Sequence, residues 1–373
     1  MSVERAPGYL DAIAGVPLTV ATVTAWQSAA TQAWSDPARM HHAGRQSGLL
    51  LDSARASIAT FIGVSPANVF FAGSGPDGLR ASIGGIFAVR SNASRRVLVG
   101  QVESMAVLGA AGSLPGAEVI SLAVDQVQKT GAIDLVDLDQ QLAKGAALVC
   151  IQVANAEVGS RQPFAAALTA CRTAGVPLVA DATGLITHDS LPTDFDVLVA
   201  PARDWGGPPG VAIVVTSPNN RWRPEEAPDR GWIGGFPDIP AAVASAVALE
   251  ESAASWQSQA DLNRAMIDRV RSTLLSMNIV CAGDPDNRLP HVLTFTITGA
   301  AGGALVTELD KRGIAVASGS ACAADTRMPS HVLKAIGLPN DASIRISLPP
   351  DCSEETINLF LTELPAALAA VTS

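Results

Sequence analysis

Cys322 is the residue whose surroundings say most about chemistry. It closes the run Ser318, Gly319, Ser320, Ala321, and small residues of this kind leave a loop mobile and a thiol open to solvent. A thiol there reacts as its thiolate, and Arg327, five residues on, is the nearest cation in sequence. The competing view is a buried, unused thiol, the usual fate of free cysteine. The five cysteines (Cys150, Cys171, Cys281, Cys322, Cys352) are far apart, odd in number and form no CxxC. That excludes a zinc ribbon and speaks against a disulfide framework. Asp181 ends the apolar run VPLVAD, as a strand-end aspartate held by local hydrogen bonds would, and Arg345 is the lone charge on SIRISL, as in a plain salt bridge. His291 and His331 read as core histidines, and His41 and His42 enter a helix. Only four lysines occur, Lys129, Lys144, Lys311 and Lys334, all in stretches that read as turns or helices.

These residues must be positioned by an alternating fold. RRVLVG, AEVISLAV, AALVCIQVA, VPLVADA, FDVLVAP and GVAIVVT are short apolar runs bounded by turn signals, as expected for strands buried on both faces of a parallel sheet. Between them LVDLDQQLAKG and FAAALTACRTAG are amphipathic and end at Gly, the mark of helices. After a Pro-, Gly- and Trp-rich loop, residues 241–278 read as two helices or one bent helix, followed by a compact α/β region. The boundaries expected are 1–258 for a large domain and 259–373 for a small one carrying the Cys322 loop, with the N-terminal segment packing on the small domain.

The chain has 373 residues, 48% of them apolar, enough for a large core. Mean hydropathy is +0.28, but no stretch reaches the roughly 18 apolar residues of a spanning helix. The first residues mix charges without an apolar run, so the expectation is a soluble cytoplasmic protein. A net charge of −10 argues against nucleic acid or an anionic membrane as the main partner.

Three stretches, in order along the chain, resemble the motifs of the cysteine desulfurases of the class V aminotransferase fold: NAEVGSRQP from Asn155, VADATG with FDVLVAPARDWGGPPGVAIVV, and GIAVASGSACAADTRMPSHVLKAIG with SIRISL. The resemblance implies an α/β, PLP-transferase-like fold (fold type I aminotransferase), with a large mainly parallel-sheet domain and a smaller α/β C-terminal domain. It also implies pyridoxal phosphate (PLP) chemistry, in which a lysine forms a Schiff base and a carboxylate pairs with the ring nitrogen.

Residue by residue, the resemblance makes Cys322 the persulfide position, Asp181 the ring-nitrogen partner and Arg345 the grip on a substrate carboxylate. Asn155 is a candidate ring contact, although the best register puts Ala156 there; Ser74 falls in the phosphate loop and Arg203 in the lysine loop. Aligned on Gly207, Pro208 and Gly210, the lysine slot holds Asp204, which cannot form an imine. Pro76, with no N–H, stands for a phosphate hydroxyl, and Asp77 follows it at the helix start. Phe236 replaces a second hydroxyl, Ser104 the stacking histidine, and Thr183 or Gly184 a glutamine.

The expectation is therefore a desulfurase-like pseudoenzyme scaffold with no PLP bound. The alternatives are a sulfur relay through a Cys322 persulfide and an active desulfurase or lyase holding PLP non-covalently. Expected partners are a second copy or an active paralogue, and a sulfur-acceptor protein. Trp232 and Phe236, in the loop that reaches across the family's two-fold interface, are apolar groups expected to need burial.

Overall fold

Val97 and Val99 face one way along their strand and Leu98 the other, and all three are buried. That two-residue alternation with apolar groups on both sides calls for cover on both faces of the sheet. The computed structural model describes residues 7–218, 222–225, 227–297, 301–318, 329–339 and 342–372; Cys322 and Arg327 lie outside them.

The strands are β1 (Gly8–Tyr9), β2 (Val69–Ala72), β3 (Arg96–Gly100), β4 (Glu118–Leu122), β5 (Leu148–Gln152), β6 (Leu178–Asp181), β7 (Val197–Pro201), β8 (Ala212–Thr216), β9 (Trp232–Ile233), β10 (Val280–Cys281), β11 (Val292–Thr296), β12 (Ile314–Ala315), β13 (Ala317–Ser318) and β14 (Ser343–Ser347). The helices are α1 (Val20–Gln32), α2 (His42–Ile62), α3 (Gly75–Arg90), α4 (Met105–Gly112), α5 (Leu135–Leu142), α6 (Phe164–Thr173), α7 (Ile239–Ala253), α8 (Trp256–Ser276), α9 (Gly302–Asp310), α10 (His331–Ala335) and α11 (Glu354–Thr372).

Eight strands form one sheet in the order β4-β3-β5-β6-β7-β8-β2-β9, and only β8 runs against its neighbours. On one face Ile83 and Ile86 of α3 and Val107 of α4 pack on Val97, Val99, Leu148 and Val199. On the other, Leu51 and Ile58 of α2, Leu138 of α5 and Leu168 of α6 belong to a core with Leu98, Val149, Ile151 and Leu178. Each such fully buried side chain contributes about 1.5–3 kcal/mol. Strand β4 departs from expectation: it is the sheet edge, and Val119 stays 42% exposed. His41 does enter a helix, as its cap, its imidazole accepting from the Gly44 amide at 3.2 Å. The long helical stretch is two helices, broken at Ala254–Ser255.

The second sheet is antiparallel, in the order β10-β11-β14-β13. Its core sets Leu293, Phe295, Ile344 and Ile346 against α8, α9 and α11, and Leu10 of the N-terminal segment is buried in the same cluster. That segment is tied down by β1 pairing with β12. The opposite face of the sheet turns toward the first: Thr294 donates its hydroxyl to the Glu157 carbonyl at 2.6 Å, and Ser347 accepts from the Ile13 amide at 3.0 Å. Among the described residues no helix is long and apolar enough to cross a membrane.

Candidate functional site

Strands β2, β5, β6 and β7 run the same way, and their C-terminal ends open on one side of the sheet, where wound parallel sheets bind ligands. Asp181 ends β6 and is buried there. One oxygen accepts from the Ser104 hydroxyl at 2.9 Å; the other accepts from the Thr183 amide at 3.0 Å and its hydroxyl at 2.6 Å. Ser104 in turn caps α4.

After β7 the chain makes a 3-10 turn, Ala202–Trp205. Gly206 leaves it at φ 80, and a Cβ on Gly207 would meet the Ala202 carbonyl oxygen at 2.9 Å, so the paired glycines shape the turn. Trp205 is buried and anchors it. The Asp204 carboxylate accepts from the Gly184 amide at 2.5 Å, while Arg203 is exposed. The successive amides of Thr183 and Gly184 thus hold two carboxyl groups. Burial pushes the Asp204 carboxyl up to about 7, with Asp181 adding to the rise and the Gly184 amide and Arg203 opposing it. Asp204 can therefore give or take a proton near neutral pH, but it cannot form an imine.

The remaining candidates are engaged locally. Ser74 caps α3, accepting from the Asp77 amide at 3.2 Å and donating to its carboxylate at 2.6 Å, so this helix start is answered by the chain's own acid. Asn155 is buried and shapes its own loop, accepting from the Glu157 and Val158 amides and donating to the Val102 carbonyl at 3.0 Å. Arg345 is buried on β14 and bonds Asp11 at 3.1 Å, while its Nε has no partner. Trp232 is covered within its own chain, stacked on Phe71, because β9 extends the sheet beside β2; Phe236 is 63% exposed. His331 bonds the Glu103 carbonyl oxygen through Nε2 at 2.9 Å. None of the four lysines lies on β6, β7 or the turn after it.

Four groups went unnoticed in the sequence. Glu103 is fully buried and held well above the ordinary carboxylate range by that burial, with Asp181 adding to it; its Oε1 accepts from the Gln152 amide at 2.8 Å. Glu157 is pushed up to about 7 by burial, against the pull of the Ser330 hydroxyl at 2.5 Å and of Arg345. Asp11 is the partner of Arg345, and His188 donates to the Asp204 backbone carbonyl at 2.9 Å. Glu103 sits beside Ser104 in VESM, which was the available signal; His188 follows β6 with none.

The class-V aminotransferase family matches residues 8–360. The chain belongs to that family. Within it the similarity is to cysteine desulfurases: the IscS-like cysteine desulfurase of Mycobacterium tuberculosis is 30% identical over 97% of this chain and 96% of that protein. A cysteine desulfurase of Archaeoglobus fulgidus is 27% identical over 98% of each. A solved NifS-like protein superposes with a TM-score of 0.88 over 97% of this chain and 99% of that one, at 23% identity, which speaks to the fold.

These matches correct one expectation. Cysteine desulfurases use PLP, so the absence of a cofactor expected from the motifs does not stand for this member of the class V family. Asp181 ends β6 and Asp204 lies in the turn Ala202–Trp205, and a carboxyl such as Asp204 cannot supply the amine a Schiff base needs. The turn Ala202–Trp205 carries no lysine to link a cofactor.

Proposed function

We propose that this cysteine desulfurase-family chain does not run lysine-dependent desulfuration and acts as a scaffold within sulfur mobilisation. The observation that carries this is Asp204, whose carboxylate is fixed by the Gly184 amide in the turn aligned with the lysine loop. A carboxylate is no nucleophile toward the cofactor aldehyde, and Asp181 and Ser74 have their hydrogen bonds met within the chain. The test supplies free cysteine, excess PLP and a reductant, and measures sulfide and alanine. No more product than PLP releases without protein is expected; turnover above that background refutes the proposal. Because PLP is in excess, a negative result reports on the slot and not on cofactor supply.

Assembly belongs to the same proposal, as a two-fold homodimer. Trp34 (71% exposed), Met40 (88%) and Phe236 (63%) are large apolar groups left in water by a single chain. Light scattering at micromolar concentration should give about twice 38.2 kDa; a monomer counts against the dimer and leaves the catalytic proposal standing.

A further inference from the structure

Two histidines stack where the loops of the first sheet meet the second. His188, on the loop after β6, and His291, just ahead of β11, have ring centroids 3.9 Å apart and an interplanar angle of 17°. Both are buried. His188 Nε2 lies 2.9 Å from the Asp204 carbonyl oxygen, and since a carbonyl only accepts, that nitrogen carries the proton. The His291 carbonyl accepts from the Leu348 amide at 2.9 Å, which ties it to the end of β14. Its Nδ1 is buried without a partner.

We propose that the His188–His291 stack is an acid-released clasp: neutral, it holds the Asp204 turn against the second sheet, and protonated, it lets the turn go. Two imidazolium rings at this separation repel strongly in a buried setting. The surroundings do not relieve them. Arg345 on β14 adds positive charge, and its own partner is Asp11 of the N-terminal segment. On the loop of His188, Asp189 is engaged by Arg161, and ahead of His291, Arg288 is engaged by Asp268. Asp181 on β6 is saturated by Ser104 and Thr183, and Glu157, on the loop after β5, bonds Ser330. Asp204 and exposed Arg203 share the turn itself.

Burial lowers His188 to about 4 and His291 well below its ordinary value, with His188 and Arg345 adding to the latter, so the clasp is closed at neutral pH. The Asp204 carboxyl, at about 7, is already protonated before His188 titrates: it offers no counter-charge, and its own protonation favours the closed turn, so release in acid is what the two histidines together gain over it.

Hydrogen exchange, corrected for intrinsic rate, is followed on segments 182–190, 202–207 and 289–292. In the wild type, protection there should fall by about tenfold or more between pH 7 and pH 4.5 while β3 and β5 stay protected. The double variant His188→Gln/His291→Phe keeps a donor for the Asp204 carbonyl and a ring in the stack but leaves neither position able to take up a proton, and should hold its protection over this range. Where that variant does not fold, His188→Gln alone keeps a donor for the Asp204 carbonyl and leaves one titrating ring, and should lose clearly less protection than the wild type. Loss of protection throughout the chain at once, no loss in the wild type, or equal loss in wild type and variant overturns the clasp.

Discussion

Replacing Asp204 by Asn should stabilise the protein by about 2 kcal/mol at pH 8 and leave it unchanged at pH 4. The Asp204 carboxyl is raised from 3.8 to about 7 by folding. Below the lower value it is protonated in both states and contributes nothing. Above the higher value it is ionised in both, and the folded state bears the full cost of a charge it disfavours. Native stability linked to this group is therefore lost as pH rises from about 4 to about 7. A rise of this size corresponds to about 4 kcal/mol, which partial exposure of the side chain reduces to roughly half. Asparagine keeps an oxygen for the Gly184 amide and removes the charge. Glu157 and His188 titrate in both proteins and cancel in the difference. Urea denaturation at pH 4, 6 and 8 gives the comparison, and a gain that does not grow with pH would mean the carboxylate is not strained in this turn.

How far such a site is legible in sequence depends on how local its physics is. The alternating valines of RRVLVG and the Gly-ended helices need only their own residues, and they appear as β3, α5 and α6 in the expected order. The exposed face of β4 was not legible, because being an edge depends on which strands pair elsewhere. Asp181 at the end of β6 and Asp204 in the turn Ala202–Trp205 lie in stretches with recognisable local patterns. Their partners could not be read locally: Ser104 is 77 residues from Asp181, and His188 meets His291 across 103 positions of chain (291 − 188). For Glu103 the only local signal was its place beside the helix-capping Ser104, and that does not reveal its full burial, which depends on contacts from other strands. Expecting no cofactor failed for a different reason: it inferred a property of the whole cleft from single replaced residues, whereas similarity to the desulfurases spans almost the whole chain.

The largest loss of stability is expected from Trp205→Ala, about 3–5 kcal/mol. Trp205 is 1% exposed, and its indole N–H donates to the Ser245 carbonyl at 2.9 Å while its own carbonyl accepts from the Ser252 hydroxyl at 2.9 Å. Both partners lie on α7, so truncation leaves a cavity against that helix and removes the indole's bond to it. Val127→Ala, at a side chain 92% exposed, serves as the control and should change stability by less than about 0.5 kcal/mol. A Trp205 loss below about 1 kcal/mol would mean the turn is held by something other than this anchor. The same anchor keeps Asp204 half-buried, since the two residues are adjacent in one short turn. The two substitutions should therefore not add: with Ala at 205 the turn loosens, the carboxyl regains hydration, and the gain from Asp204→Asn at pH 8 shrinks toward zero. A double-mutant cycle that is additive at pH 8 would separate the strain on Asp204 from the packing of Trp205, placing its cause in the neighbouring Asp181 charge instead.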